Sequence, residues 1–224
     1  MATTMTGRTE EIRSGVSSLL SSDSRVKGSR ISVHVANGRV VLSGTVPAYP
    51  DRSWAEDDAY AIPGVSYVEN RLEVRRPEPS GAPDDDEIAG RIRSALEWNP
   101  SIEAGRIEVS VQDGAVTLAG TVGTFWQRSV ACETASNIRG VLDIRNLLSV
   151  EPGLDIPDRD IACRLQSTIG KSAFIDPGMI SLHVKNGVVT LSGTVHSHHA
   201  FHAAEELAGS IAGVRDINNY LVIA

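Results

Sequence analysis

The sequence has little of what several classes of protein require. Only 4% of its 224 residues are aromatic, so aliphatic side chains must fill its cores. Two cysteines, Cys132 and Cys163, are too few for a disulfide framework and lack the spacing of metal ligands. No stretch approaches the roughly 18 consecutive apolar residues of a membrane-spanning helix. The composition therefore excludes a disulfide scaffold and a helical membrane protein.

Positive charge is also scarce. The formal net charge is -7, and no run of five or more like charges of either sign occurs. Because affinity for nucleic acid depends largely on clustered Lys and Arg, we expect no nucleic-acid partner. Near the start, Glu10 and Glu11 stand where a signal peptide requires an apolar core. This pattern predicts a cytoplasmic protein.

An internal repeat dominates what is present. Three turn signals, Asn37-Gly38, Asp113-Gly114 and Asn186-Gly187, lie between strand-like runs and are 76 and then 73 residues apart. Other landmarks keep constant offsets from these turns: Gly44, Gly120 and Gly193, then the Gly-Val pairs at residues 64, 140 and 213, then Asn70, Asn146 and Asn219. Three copies of one module therefore align without a gap.

The shared pattern predicts the fold of each copy. Apolar residues at Ile12, Val16 and Leu20 mark one face of a helix, and period-two alternation around the turn marks a hairpin. Ala55 and Ala59 mark a second helix, followed by a third strand. We predict an α+β protein of three tandem αββαβ modules, each a three-stranded mixed sheet with two helices on one face. The predicted modules span residues 8–76, 84–151 and 157–224, and the segment 77–87 is predicted as an extended linker.

Most repeated polar and glycine positions have structural explanations. Gly44 and its counterparts interrupt strands, which indicates close backbone approach or an unusual φ angle, and Gly64 is predicted as the residue that ends the second helix. Asn70 is predicted to bond a neighbouring backbone segment, since Asn is depleted in strands. His198 and His202 would share a helical face at i,i+4, a spacing that suits a transition metal. A solvated helix start is the favoured interpretation, and no metal site is predicted.

Aromatic residues outside the shared pattern are the candidate binding residues. Trp98 aligns with Ser22 and Lys171, Trp126 with Pro50 and His199, and Phe125 with Tyr49 and His198. The common fold therefore does not demand an aromatic side chain at any of them. Such residues either pack between modules or protomers, or form an amphipathic surface for lipid or a protein partner. The predicted binding residues are Tyr49, Phe125, Trp126 and Trp98.

The repeated motifs resemble those of the BON domain. They read NGRVVLSGTV…AIPGVSYVENRLEV, DGAVTLAGTV…NIRGVLDIRNLLSV and NGVVTLSGTV…SIAGVRDINNYLVI, and the resemblance covers nearly the whole chain outside the linkers. It implies roles in osmotic or general stress, phospholipid binding and envelope maintenance. In one branch of the family it implies potassium sensing, and related modules build rings.

The resemblance implies a binding protein rather than an enzyme. No Ser, His or Asp stands in a catalytic motif, so no catalytic residue and no cofactor are predicted. We expect a non-enzymatic, stress-associated protein whose first candidate ligand is phospholipid or a membrane surface. The alternatives are self-assembly into a ring or larger oligomer, and potassium sensing.

Overall fold

The computed structural model describes residues 2–75 and 83–223 and has the same order of elements in each copy of the repeat. The first copy contains α1 (Ala2–Ser22), β1 (Arg30–Ala36), β2 (Arg39–Val46), α2 (Pro50–Tyr60) and β3 (Tyr67–Val74). The second contains α3 (Asp85–Glu97), β4 (Ile107–Gln112), β5 (Ala115–Val122), α4 (Phe125–Ser136) and β6 (Asp143–Val150). The third contains α5 (Asp158–Ile169), β7 (Ile180–Lys185), β8 (Val188–Val195), α6 (His198–Gly209) and β9 (Asp216–Ile223). The predicted α+β order is confirmed.

Each sheet of the described chain has three strands, in the orders β1-β2-β3, β4-β5-β6 and β7-β8-β9. In the first sheet β2 pairs antiparallel with β1 and parallel with β3. The third sheet repeats this arrangement around β8. A parallel neighbour requires a crossover, which α2 and α6 supply in these two sheets. The predicted mixed sheets are confirmed.

The chain divides into two compact units, and the division passes through the second copy of the repeat. The first unit comprises residues 1–88, 111–116 and 136–144. The second comprises residues 89–110, 117–135 and 145–224. Each unit therefore contains segments from two successive copies of the repeat.

One hydrophobic core joins both helices of the first copy to the same face of its sheet. Ile12 and Val16 of α1, Ala55 of α2, and Val40 and Leu42 of β2 all belong to this buried cluster. Ala55 is 0% exposed, and its short side chain lets α2 lie close to the strands. Burying each larger aliphatic side chain stabilises the fold by roughly 1.5–3 kcal/mol. The aliphatic residues therefore supply most of the free energy that stabilises this core.

The hairpin turns have the backbone that their sequences predict. Asn37 has φ 51° and Gly38 has φ 77°, and two successive positive φ angles define a type I′ turn. The Gly38 carbonyl accepts a hydrogen bond from the Ser66 N–H at 2.9 Å. The prediction for Gly64 is wrong: α2 ends at Tyr60, and Gly64 instead lies in the following loop with φ 95°. After the helix, the Val65 N–H donates to the Ile62 carbonyl at 3.2 Å, so the chain turns before it enters β3.

The glycine inside the second strand of each copy is required by contact with a neighbouring backbone. Gly44, Gly120 and Gly193 have φ angles of 121°, 117° and 124°. A Cβ atom built on Gly44 would overlap the carbonyl oxygen of Arg30. Both predicted reasons for these glycines, close approach and unusual φ, are confirmed.

The repeated asparagine connects the third strand of each copy to the second helix. Asn70 Nδ2 donates to the carbonyl of Arg52 at 2.7 Å, and Asn70 Oδ1 accepts from the Leu72 N–H at 3.2 Å. Asn146 and Asn219 make the equivalent side-chain-to-helix bonds at 3.3 and 3.4 Å. The predicted backbone hydrogen bond is confirmed, and it explains why a polar residue recurs on the core side of a strand.

Two aspartates at helix starts hold the hairpin turns of the later copies. The Asp158 carboxylate accepts from the Asn186 and Gly187 N–H groups at 2.7 and 2.8 Å. These backbone donors lower the pKa of Asp158, because they stabilise its ionised form. Asp85 makes the same pair of bonds to the turn at residues 113–114. Each carboxylate therefore fixes the turn against the first helix of its copy.

The predicted linker is shorter than expected. Residues 77–82 of this region lie outside the described residues, but α3 begins at Asp85. The prediction was wrong for residues 85–87, because Asp85, Asp86 and Glu87 fill the first turn of α3. Acidic residues are favoured there by the positive end of the helix dipole. Among the described helices, none has a run of apolar residues that would reach across a bilayer.

Candidate functional site

A groove in the first unit has room for a small ligand. It has a volume of about 630 Å³, which is within the range of small-molecule sites. Its walls come from residues 47–51, Trp54, Val74, Arg75 and residues 136–142. We call it the first groove. It lies where α2 begins, beside the loop that joins α4 to β6.

The lining of the first groove combines aromatic and cationic side chains. Tyr49 and Trp54 are half-buried, whereas Arg75 and Arg139 are exposed. The guanidinium of Arg52 lies 5.5 Å from the centre of the Tyr49 ring, a distance typical of a cation–π contact. This arrangement places an apolar wall next to positive charge.

Asp51 is buried and lines the first groove. Its Oδ2 accepts the Ala48 N–H at 3.0 Å. Burial raises the pKa of Asp51, and the Ala48 hydrogen bond partly offsets this shift. The carboxyl group is in the first turn of α2, so it compensates the positive end of that helix. Anion binding in the groove would therefore depend on the arginines rather than on the start of α2.

A smaller groove in the second unit occupies the equivalent place in the repeat. Its volume is about 250 Å³, and its lining residues are Phe125, Trp126, Ser129, His202, Glu205, Glu206 and Gly209. We call it the second groove. Phe125 is only 8% exposed, because its ring packs against Gly209. A Cβ atom on Gly209 would lie 2.6 Å from Phe125 Cδ1.

A repeated ion pair adjoins each groove. Arg52 Nη1 lies 4.0 Å from Asp143 Oδ1 in the first unit. Arg128 Nη2 lies 2.9 Å from Asp216 Oδ1 in the second. Arg128 occupies the repeat position of Arg52, and Asp216 occupies that of Asp143. Successive copies therefore use the same two positions to contact each other within each unit.

The structure does not bring the four predicted binding residues together. Tyr49 lines the first groove, and Phe125 and Trp126 line the second. Trp98 follows α3, is 87% exposed and lines neither groove. Phe125 packs against Gly209 of the third copy, which is a contact between modules. Trp98 is exposed, which leaves its ring on the surface.

Sequence reasoning missed the cationic part of the first groove and the ion pairs. Arg75 and Arg139 have no periodic pattern that would mark them. The Arg–Asp pairs did have a signal, since Arg52 and Arg128 recur 76 residues apart and the two aspartates recur 73 residues apart. A comparison of charged positions between the copies would have found them.

The histidines of the third copy form a close pair. His198 and His202 lie one turn apart on α6, with their Nε2 atoms 3.0 Å from each other. The predicted shared face is confirmed. Burial, and secondarily the neighbouring His202, lower the pKa of His198 to about 4. The His198 ring is therefore neutral at neutral pH.

Two curated bacterial proteins are similar to this chain. "Osmotically-inducible protein Y" of Escherichia coli is 31% identical over 144 residues, which are 62% of this chain and 72% of that protein. "Outer membrane lipoprotein DolP" of Haemophilus influenzae is 29% identical over 139 residues, which are 60% of this chain and 72% of that protein.

One solved structure, the C-terminal domain of CdsD, a structural protein of the type III secretion system of Chlamydia trachomatis, also aligns with the chain. It is 17% identical, with 94% of this chain and 96% of that chain covered, and its TM-score is 0.27. At that score the likeness carries no argument.

These relatives overturn the predicted cytoplasmic location. The name of the Haemophilus protein places it in the outer membrane, and the cytoplasmic prediction is wrong. It rested on the acidic residues near the start of the sequence and on the lack of a long apolar run.

The family is established by the match of all three copies. The model of the BON domain matches residues 8–76, 84–152 and 157–224. These matches coincide with the repeated order of helices and strands and include both grooves. The chain therefore belongs to the BON domain family.

Proposed function

We propose that the chain is a non-enzymatic, stress-associated protein of the bacterial cell envelope that contacts phospholipid through its BON modules. The names of its relatives, one osmotically inducible and one an outer membrane lipoprotein, support the setting. The observation that carries the proposal is the first groove, in which half-buried Tyr49 and Trp54 adjoin exposed Arg75 and Arg139.

The chemistry of the first groove suits an anionic phospholipid. Arg side chains bind phosphate oxygens through charge-assisted hydrogen bonds, and aromatic rings are favoured where an apolar region meets water. A phosphate near Arg75 and Arg139 would leave the glycerol region and the upper acyl chain against Tyr49 and Trp54. The net charge of -7 disfavours a general attraction to anionic membranes, so this local pair of arginines must supply the attraction.

The two exposed tryptophans provide a second type of membrane contact. Trp98 is 87% exposed and Trp126 is 46% exposed. Indole rings are enriched at the membrane–water interface, and an exposed ring can enter that region without unfolding the module. In this proposal Tyr49 belongs to the groove that holds the lipid, whereas Trp98 and Trp126 stabilise contact with the membrane surface. Phe125, the fourth predicted residue, keeps the second groove narrow.

Vesicle flotation tests this proposal. The wild-type chain should float with vesicles of phosphatidylcholine and phosphatidylglycerol more than with vesicles of phosphatidylcholine alone, and salt should weaken the difference. Tyr49→Ala and Arg139→Glu should reduce flotation. Tyr67→Ala is a matched control, because Tyr67 is 49% exposed on β3 and does not line the groove. If Arg139→Glu floats as the wild type does, the first groove is not the lipid site.

Self-association is the second candidate function, and exposed apolar residues favour it. Trp98, Tyr220 and Val222 are 87%, 66% and 61% exposed. Tyr220 and Val222 lie on β9, which is an edge strand of its sheet, and exposed edges readily pair with another chain. Light scattering should then give a mass above that of one chain for the wild type and a lower mass for Trp98→Ala or Tyr220→Ala. A monomeric wild type would exclude this candidate.

A further inference from the structure

The histidine pair of α6 has the geometry of two ligands to one metal ion. The Nε2 atoms of His198 and His202 are 3.0 Å apart. A Zn²⁺ ion lies about 2.0–2.1 Å from each histidine nitrogen, so two nitrogens at angles between octahedral and tetrahedral values are separated by roughly 2.9–3.4 Å. The observed separation falls within this range.

The Phe201 ring lies near both histidine rings. Its ring is parallel to that of His198, at an interplanar angle of 2° and a centroid distance of 6.2 Å. It also meets the His202 ring edge to face at 5.6 Å. Ligand rings that are already oriented bind a metal with less loss of side-chain entropy. The pair is therefore partly organised by its own helix.

The common fold does not require these histidines. The equivalent positions hold other residues in the first and second copies: Tyr49 and Ser53, and Phe125 and Ser129. The same helix forms in all three copies. The pair is thus a property of the third copy alone, as expected for a site with its own role rather than a packing requirement.

Glu206 follows His202 by four residues on the same helical face, and His202 and Glu206 both line the second groove. We propose that His198 and His202 bind one divalent transition-metal ion of the Zn²⁺ type through their Nε2 atoms.

The ligand type determines the class of ion. Imidazole nitrogens suit zinc, nickel, cobalt and copper, whereas magnesium and calcium prefer oxygen ligands. Water or further oxygen donors would complete the coordination. The same 3.0 Å separation also fits a hydrogen bond between two neutral imidazoles, and the experiment must distinguish the two arrangements.

Calorimetric titration of the untagged full chain with Zn²⁺ tests the proposal. The wild type should bind one ion per chain saturably, and Mg²⁺ should give no heat of binding. His198→Gln and His202→Gln should each abolish the saturable event, and circular dichroism checks that both variants fold. His196→Gln and His34→Gln are matched controls that should bind as the wild type does, since neither residue belongs to the pair.

A spectroscopic measurement locates the ion independently of affinity. In nuclear magnetic resonance spectra of the imidazole nitrogens, Zn²⁺ should shift the Nε2 resonances of His198 and His202 and leave that of His34 unchanged. Absence of saturable Zn²⁺ binding, or its retention in His202→Gln, would overturn the proposal and leave the pair as a hydrogen bond between imidazoles. The outcome is independent of vesicle binding, because none of these histidines lines the first groove.

Discussion

The two grooves share positions in the repeat, yet the first is larger than the second. The first groove measures about 630 Å³ and the second about 250 Å³. Tyr49 is half-buried in the first, whereas its counterpart Phe125 is 8% exposed in the second. The nitrogen–oxygen distance of the ion pair is 4.0 Å beside the first groove and 2.9 Å beside the second.

The comparison separates what the two grooves share from what differs. The start of a second helix lines each groove, and an Arg–Asp pair at the same repeat positions lies beside each. The other lining residues differ, and the Phe125 ring packs on Gly209 in the second groove. A repeated module can therefore keep its fold while the space beside its second helix differs between copies.

The largest predicted effect concerns the fold that the three copies share. Gly120→Val should lower the free energy of unfolding by about 3 kcal/mol, since it combines a strained positive φ with a steric clash. A Cβ at this position overlaps the carbonyl oxygen of Arg106. Urea denaturation measures the change. Gly90→Ala is the control, because a Cβ on Gly90 of α3 meets no atom within 4 Å, and it should be neutral or stabilising. A wild-type midpoint for Gly120→Val would refute the claim that this strand position requires glycine.

The next effect compares the two aromatic positions directly. Phe125→Ala should destabilise the chain by about 2 kcal/mol, since it removes a buried ring. Tyr49→Ala should cost less than about 1 kcal/mol, because the Tyr49 ring is only half-buried. Thermal and urea unfolding of both variants give the two values. Equal losses would mean that the two grooves are packed alike, contrary to the comparison.

A third prediction compares α2 with α4, the second helices of the first two copies. Asp58 of α2 is buried, whereas the equivalent residue of α4 is Thr134. Burial raises the pKa of Asp58 from 3.8 to about 6, and the nearby charge of Asp23 adds to the shift. A carboxyl group with a raised folded-state pKa stabilises the fold fully below its unfolded pKa. That contribution is lost as the pH rises through about 6.

Asp58→Asn should therefore be more stable than the wild type at pH 7.5, by about 1 kcal/mol. The advantage should disappear between pH 6 and pH 4, as the wild-type carboxyl group becomes protonated. Urea denaturation across this pH range measures the difference. Ser53→Ala, an exposed change on α2 that removes no titratable group, should show no such pH dependence. A constant difference across the range would contradict the assignment to Asp58.

The smallest effect concerns the ion pairs. Arg128→Ala should cost about 0.5–1 kcal/mol, and Arg52→Ala less than about 0.5 kcal/mol, because partly exposed pairs contribute little and the shorter one contributes more. A double-mutant cycle between Arg128 and Asp216 isolates the pair, and added salt should reduce its coupling energy. Arg128 also lies 4.6 Å from the Phe125 ring, so the cycle is needed to separate the two contacts. A coupling energy of zero would show that the Arg128–Asp216 pair does not stabilise the chain beside the second groove.

Much of the fold followed from the sequence, because its causes are local. The positive φ angles of Asn37 and Gly38, the buried stripe of Ile12, Val16 and Leu20, and the bond made by Asn70 each depend on residue type and short-range spacing. The bounds of the modules remain a prediction. The end of α2 was misjudged at Gly64 because it depends on where the loop meets the Gly38 turn.

The sequence by itself determined the repeat, the order of elements in each copy and the family. Only the tertiary structure decided which of the unexplained aromatics are buried: Phe125 is 8% exposed and Trp98 is 87% exposed, although neither belongs to the shared pattern. The Arg128–Asp216 pair joins residues 88 positions apart. Burial and pairing of this kind depend on what the fold places opposite a side chain, and no local pattern contains that information.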